Sequence, residues 1–397
     1  MTAPRSGRAA IGIALLLIAF NLRAVFSSLS ALLPEMMAAL EVSAAAASLV
    51  TTGPVICLAL FAPVAPLLAG RYGTERTVFF MLAALALGTG LRGFPTFTAI
   101  LVGSLLSGAA IAVMNVLMPS LVKRYFADRP ALMTGGYSMV MCVGAALSAG
   151  ASAPLAGWLG SWNGALAAWA LPAAAAALLW WAKADLATPS AALPQGLPGH
   201  AWLWRNPLAW RVTILMGSQS ALAYSVFGWL APILRERGMD PVGAGLVFAV
   251  AMVGQVVSSF VAPSIATRGR DQRAVTMVLI GFALAGWLGC LQGPLWSAWF
   301  WGFVQGLGQG GTFSVVMTII ILRSPDHRIA AALSGMAQGG GYLIASLGPL
   351  LVGIIRTRAG SFDGVGPMFC AFAAVALWAA WGAGRDRPLR AEPTRGS

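Results

Sequence analysis

The sequence predicts an all-α membrane protein of twelve transmembrane helices in two six-helix bundles. Three observations carry this expectation. Hydrophobic residues make up 58% of the 397-residue chain and charged residues only 9%, with a mean hydropathy of +0.80. A soluble domain is roughly 25% charged, so this chain has too few charges to clothe a water-facing surface. Apolar runs of helix length recur between short clusters of charge, Gly and Pro, and the longest polar interruption, 183–207, falls near the middle. A large soluble domain, an intrinsically disordered chain and a disulfide scaffold are excluded.

The elements follow in order. The first span, 10–34, comes after the basic Arg5 and Arg8. It is not read as a signal peptide, because the apolar run continues to Leu33 without a small-residue cleavage site. The spans 46–70, 77–92 and 97–122 are separated by the clusters at Arg71–Arg76, Arg92 and beyond. The fifth, 131–155, begins after Lys123, Arg124 and Arg129, and the sixth, 162–182, ends at Lys183. The linker 183–207 holds Thr188-Pro189-Ser190 and Pro194-Gln195-Gly196-Leu197-Pro198-Gly199, turn-forming residues that do not continue a helix. The remaining spans are 208–234, 242–266, 274–291, 294–322, 330–355 and 365–383, and 384–397 is a basic tail. Each is close to the ~20 residues that cross a bilayer as a helix, the element that satisfies its own backbone in lipid. The chain thus divides into a bundle over 1–182, the linker, a bundle over 208–383 and the tail.

An even number of crossings puts both termini on one side. With the termini inside, nineteen Lys and Arg fall in inner segments and five in outer loops, namely Arg92, Arg235, Arg237, Arg356 and Arg358. That bias predicts cytoplasmic termini in a bacterial-type inner membrane. The net charge of +13 is then a topology signal, and nucleic acid is excluded as a partner. The lipid bilayer and a small-molecule substrate are the expected partners of a monomer.

The two halves are weakly self-similar. Asn21 and Pro34 correspond to Gln219 and Pro232, and the loop Ala69-Gly70-Arg71…Arg76 to Ala266-Thr267-Arg268…Arg273. Thr134-Gly135 corresponds to Ser334-Gly335, and the breaks at Pro154 and Pro349 follow in the same order. A parallel repeat of this kind builds two-halved transporters, in which substrate binds near the midplane between the halves.

On these residues the chain resembles the major facilitator superfamily. Pro66-Leu67-Leu68-Ala69-Gly70-Arg71-Tyr72-Gly73-Thr74-Glu75-Arg76 is similar to that superfamily's loop between helices 2 and 3, with Gly70 where an aspartate is usual. Asn21-Leu22-Arg23, Leu32-Leu33-Pro34-Glu35 and Asn115-Val116-Leu117-Met118-Pro119 resemble the cyanate and 2-nitroimidazole porter family. So do Leu203 to Trp210 and Leu230 to Gly238. The resemblance implies transport of a cyanate- or nitroimidazole-like compound, with multidrug or organic-compound efflux on the same fold as the alternative.

No enzyme constellation, phosphate loop or metal pattern is present, so no catalytic residue, cofactor or metal is expected. Gly306-Leu307-Gly308-Gln309-Gly310-Gly311 and Gly339-Gly340-Gly341 read as close helix packing or as kinks. The four cysteines read as small buried hydrophobes, and His200 and His327 fall in loops.

Arg23 stands out, near the middle of the first span, where a charge costs roughly 2.5–3.5 kcal/mol on insertion scales. No Asp or Glu lies deep in any span, and Glu35 and Glu41 are at the outer rim. The uncompensated guanidinium therefore points to an anionic or polarised substrate, with structural pairing as the alternative. Asn21, Ser27, Asn115, Gln219, Tyr224, Gln305, Gln309, Gln338 and Tyr342 join Arg23 as candidate substrate contacts at middle depth. Gln305 and Gln309 share a helix face, as do Gln338 and Tyr342. Arg71, Arg76, Tyr137 and Trp229 are candidate gating residues. Trp158 and Trp162 outside, and Trp180, Trp181, Trp202, Trp204 and Trp210 inside, read as interfacial belts.

Overall fold

The computed structural model describes residues 5–126, 130–183, 201–269, 271–325, 327–387 and 389. The helices are α1 (Arg5–Leu40), α2 (Ala44–Phe61), α3 (Val64–Tyr72), α4 (Thr74–Leu91), α5 (Phe97–Tyr125), α6 (Pro130–Leu159), α7 (Trp162–Ala168) and α8 (Ala170–Lys183). After the linker come α9 (Pro207–Glu236), α10 (Pro241–Ala266), α11 (Arg273–Gln292), α12 (Ala298–Arg323), α13 (His327–Ala359) and α14 (Val365–Ala383). Most of the expected linker, with His200, lies outside the described residues.

Local chemistry sets the helix starts. Asn206 accepts from the amides of Leu208 and Ala209 to open α9, and Asp240 accepts from Gly243 to open α10. A proline takes the first position of each helix, where its missing N–H costs nothing. The second expected span is broken: Pro63, which cannot donate to the helix ladder, separates α2 from α3. The sixth is interrupted at Trp169 between α7 and α8. His327 opens α13 rather than lying in a loop.

Among the described residues, ten helices are long and apolar enough to cross a membrane. Of the other expected spans, α4 carries Glu75 and Arg76 in its first turn, and α9 carries Gln219 among several serines. Phe80, Leu87, Phe260 and Ile321, on three different helices, are all at least half exposed, which suits a surface facing lipid rather than water.

In the packing, α1 lies on α6 and α4 on α5, while α10 and α11 flank α12 and α9 lies on α13 and α14. Added Cβ atoms at Gly306 and Gly310 would run into the α10 backbone at Ala251 and Gln255, and one at Gly308 into α11 at Ala283. The glycine run of α12 is therefore a packing device. The most extensive contacts between helices before and after the linker are α2 with α13, α6 with α10 and α1 with α9. They close the end of the molecule opposite the termini. There Arg235 pairs with Glu35 at 2.6 Å, and the Ala45 amide donates to Thr357 at 2.7 Å.

At the other end, two places about 198 residues apart in sequence hold comparable side chains. Buried Glu75, at the start of α4, pairs with Arg124 at the end of α5 (2.8 Å). At the equivalent place Arg323, ending α12, donates to Gln272, which caps α11. The C-terminal strap is tied to the same point, with the Leu389 amide donating to the Arg323 carbonyl at 2.8 Å.

Three sequence expectations are corrected. Arg92 is not an outer-loop charge: it follows the last turn of α4 and is 1% exposed. Trp180 is no interfacial residue but fully buried, and its indole N–H donates to the Glu75 carbonyl at 2.9 Å. Cys370 is exposed on α14, whereas Cys57 and Cys290 are buried and Cys142 is half-buried. Alanine-rich α14 reserves its interior face for residues such as Phe369 and Ala373, leaving Cys370 on the outer face.

Candidate functional site

Arg23 is half-buried on α1, and among the described residues no carboxylate pairs with it. Its guanidinium lies instead over Phe227 of α9, 4.9 Å from the ring centroid, and 6.0 Å from that of Tyr224. A ring face attracts a cation without neutralising it. The charge stays available to an anion.

Aromatic rings extend from this point. Tyr224 meets Phe26 of α1 at 5.9 Å between centroids and Tyr342 of α13 at 5.9 Å, edge to face. Tyr224 and Phe227 are three residues apart on α9, as Arg23 and Phe26 are on α1, so each pair shares a face. Arg23, Tyr224 and Tyr342 are thus brought together, on helices from both sides of the linker. Phe26 and Phe227 escaped the sequence reading, although their spacing from Arg23 and Tyr224 marks them.

The glutamines divide by partner. Gln309 donates to the side-chain oxygen of Gln219 at 2.6 Å and to its carbonyl at 2.9 Å, joining α12 to α9. Gln219 in turn donates to Ser220 at 2.7 Å. Gln305, one turn from Gln309, is buried with neither its amide nitrogen nor its oxygen hydrogen-bonded. An amide so placed lacks the partners that burial normally demands. Gln338, half-buried, donates to Ser334 of its own helix at 2.9 Å.

The other candidates make their own contacts. Asn21, two residues away and so about 200° around the helix, is buried and donates to the Leu17 carbonyl at 2.7 Å. Ser27 turns back to the Arg23 carbonyl (3.4 Å), and Asn115 is half-buried on α5. Tyr137 is half-buried on α6. Trp229 is fully buried, its indole donating to the Pro349 carbonyl at 2.9 Å and its ring 5.9 Å from that of Phe362. Arg71 and Arg76 are exposed where α3 meets α4, and Arg71 lies 5.4 Å from the Tyr72 ring.

A small cavity, with room for little more than a water molecule, opens beside the aromatic group, lined by Val25, Phe26 and Leu29 of α1, Val50, Thr51 and Pro54 of α2, Tyr224, Phe227 and Gly228 of α9, and Arg92. Arg92 is therefore a residue of this region that the sequence reading missed. Its place beside the polar loop after α4 disguised it as a surface charge.

Known proteins agree with this architecture. The sequence profile of the Major Facilitator Superfamily matches residues 15–239 and 212–397. The 2-nitroimidazole transporter of Escherichia coli (strain K12) is 34% identical over 95% of this chain and 95% of its own length. The cyanate transport protein of the same organism is 29% identical over 88% of this chain and 90% of its own. The crystal structure of the nucleoside transporter NupG superposes with a TM-score of 0.76, at 15% identity, over 94% of this chain and 99% of that one. At that identity the likeness is one of fold.

Proposed function

The chain belongs to the Major Facilitator Superfamily, and from that premise we propose that it carries a small anion or polar nitrogen compound across the inner membrane by alternating access. It is an integral membrane transporter and not an enzyme. In our reading α1 to α8 and α9 to α14 are two six-helix bundles of twelve crossings, joined by the 183–207 linker. They rock about Arg23. With both termini in the cytoplasm, the closed end bearing Glu35 and Arg235 faces outward, which makes this arrangement inward-facing.

A single observation carries the substrate class. Arg23 sits at mid-helix with a permanent charge, five N–H donors and, among the described residues, ring faces but no carboxylate against it. A cyanate, carboxylate or nitro group matches that fork, and in this reading the unpartnered amide of Gln305 on the chain's second half supplies a further donor and acceptor. The names of the two relatives, a 2-nitroimidazole and a cyanate transporter, are consistent with this chemistry. Efflux of lipophilic cations would call for an acid at the site, and among the described residues no carboxylate pairs with Arg23.

Equilibrium binding of cyanate, nitrite and a 2-nitroimidazole to purified, folded variants tests the reading. Arg23→Ala should weaken binding of the true substrate about ten- to a hundredfold, the equivalent of one charge-assisted contact. Arg23→Lys keeps the charge but loses the planar fork and should fall in between. Wild-type affinity in a folded Arg23→Ala protein would make Arg23 structural.

A further inference from the structure

Arginine and tryptophan gather where α9 begins and α14 ends. Trp378 and Trp381, in the last turns of α14, are each about half exposed (54% and 49%). The Arg211 guanidinium of α9 lies over the Trp378 ring, 4.8 Å from its centroid. Those of Arg273, opening α11, and Arg385, just after α14, lie 4.5 and 5.9 Å from the centroid of Trp381. Glycine makes room for this arrangement. A Cβ at Gly382 would run into the Arg211 side chain, and one at Gly384 into that of Arg273. The Arg211 side chain is thus laid across α14, in a seat that any other residue at 382 would fill.

The charge of this cluster is only partly cancelled. Asp271 takes Arg273, whose Nε–H donates to it at 2.6 Å, and Asp386 is held by Arg323. Among the described residues no carboxylate pairs with Arg211 or Arg385. A ring face holds a guanidinium without neutralising it, so two positive charges stay open. The cluster sits where α9 and α11 start and α14 stops, which is headgroup depth for helices that cross a bilayer. From Trp378 toward the membrane interior, Val375 of α14 and Val278 and Phe282 of α11 are also exposed. Cations at headgroup depth with apolar surface beneath them match the two parts of one lipid molecule. The internal repeat does not impose the cluster. At the offset of 198 that relates Asn21 to Gln219, Arg211 corresponds to the exposed Ile13 and Trp378 to the buried Trp180.

We propose that Arg211, Arg385 and the two tryptophans form a binding site for an anionic phospholipid. The guanidinium fork presents paired N–H donors that match phosphate oxygens, and the rings hold each fork in place. Free phosphate shares the headgroup chemistry, but the exposed apolar surface beneath the arginines commits the site to a lipid. The site is remote from Arg23 in the sequence and does not depend on which substrate is carried.

Native mass spectrometry of the purified, delipidated full-length protein tests this, with phosphatidylglycerol and phosphatidylcholine of the same acyl chains as probes. Wild type should retain phosphatidylglycerol more tightly. Arg211→Gln and Arg385→Gln should each lower that preference about fivefold, the equivalent of about 1 kcal/mol, and together should remove it. Gly382→Leu keeps every charge but fills the seat of Arg211, and should lower the preference as Arg211→Gln does; it decides the matter if the arginine variants do not fold. Equal retention of the two lipids by wild type overturns the site. So does a preference that survives in the folded double variant or in folded Gly382→Leu protein. Displacement of phosphatidylglycerol by inorganic phosphate would give the site to the free ion and overturn its assignment to a lipid.

Discussion

Two amides one turn apart on α12 behave differently because one is partnered and the other is not. Gln309 joins α12 to α9 through Gln219, and such interhelical bonds in membranes are worth about 0.6–2 kcal/mol. Gln309→Leu should lower thermal stability by that order, measured by unfolding in detergent. Gln305 holds a buried amide with no partner, a condition that costs roughly 1–3 kcal/mol. Gln305→Leu should therefore leave stability unchanged or raise it, while weakening substrate binding several-fold. A drop in stability with Gln305→Leu and no change in binding would mean that this amide is structural. Both residues read alike in the sequence, since a four-residue spacing gives the shared face and not the partner.

The helices bring a second layer of behaviour, because the contacts closing one end of the molecule join elements from opposite sides of the linker. Arg235 of α9 reaches both Glu35 and the Ala31 carbonyl of α1, with both charged side chains less than a third exposed. Loss of a partly buried pair of this kind is worth roughly 1 kcal/mol, about a fivefold shift between two states. Glu35→Gln should shift the population toward the form open at that end. Reaction of an impermeant thiol reagent with Leu29→Cys, in a background free of Cys57, Cys142, Cys290 and Cys370, should then speed up by that factor; an unchanged rate would show that the pair is no latch. The glycine run of α12 has the opposite character. Gly306→Val forces a side chain into the α10 backbone at Ala251 and should destabilise by about 1–3 kcal/mol or prevent folding, read from the yield of monodisperse protein.

Across the whole molecule, the charge census and the closed end make one prediction about orientation. Ser361, half-buried in the loop before α14, should be outside, and Ser190, in the linker, should be inside. In intact cells an impermeant reagent should label Ser361→Cys and spare Ser190→Cys; the reverse pattern would invert the topology. The pseudo-equivalent ends of the two halves support the repeat with chemistry as well as numbering. Glu75 with Arg124 and Gln272 with Arg323 each tie the start of one helix to the end of the next. The first pair is ionic; in the second, Arg323 donates to a neutral amide and takes its carboxylate from Asp386, at 3.2 Å.

Crossing-length apolar runs, their separation by charge and the position of the linker determined the helical membrane fold, because the bilayer penalises exposed backbone and charge regardless of tertiary detail. The same penalty singled out Arg23, the charge that no interface could reach. Helix continuity was less legible. Pro63 interrupts one span, yet Pro34, Pro54 and Pro119 sit inside unbroken helices, where neighbouring helices settle the outcome. The partners of each polar group were decided in three dimensions. Arg92 and Trp180 sit at span ends, where sequence predicts solvent or lipid headgroups, and packing from α1 and α4 buries them instead. The aromatic layer joining Arg23, Phe227, Tyr224 and Tyr342 draws on three helices spread over more than three hundred residues. Periodicity fixes which face of a helix a residue occupies, but only the packing of helices against one another decides what that face meets.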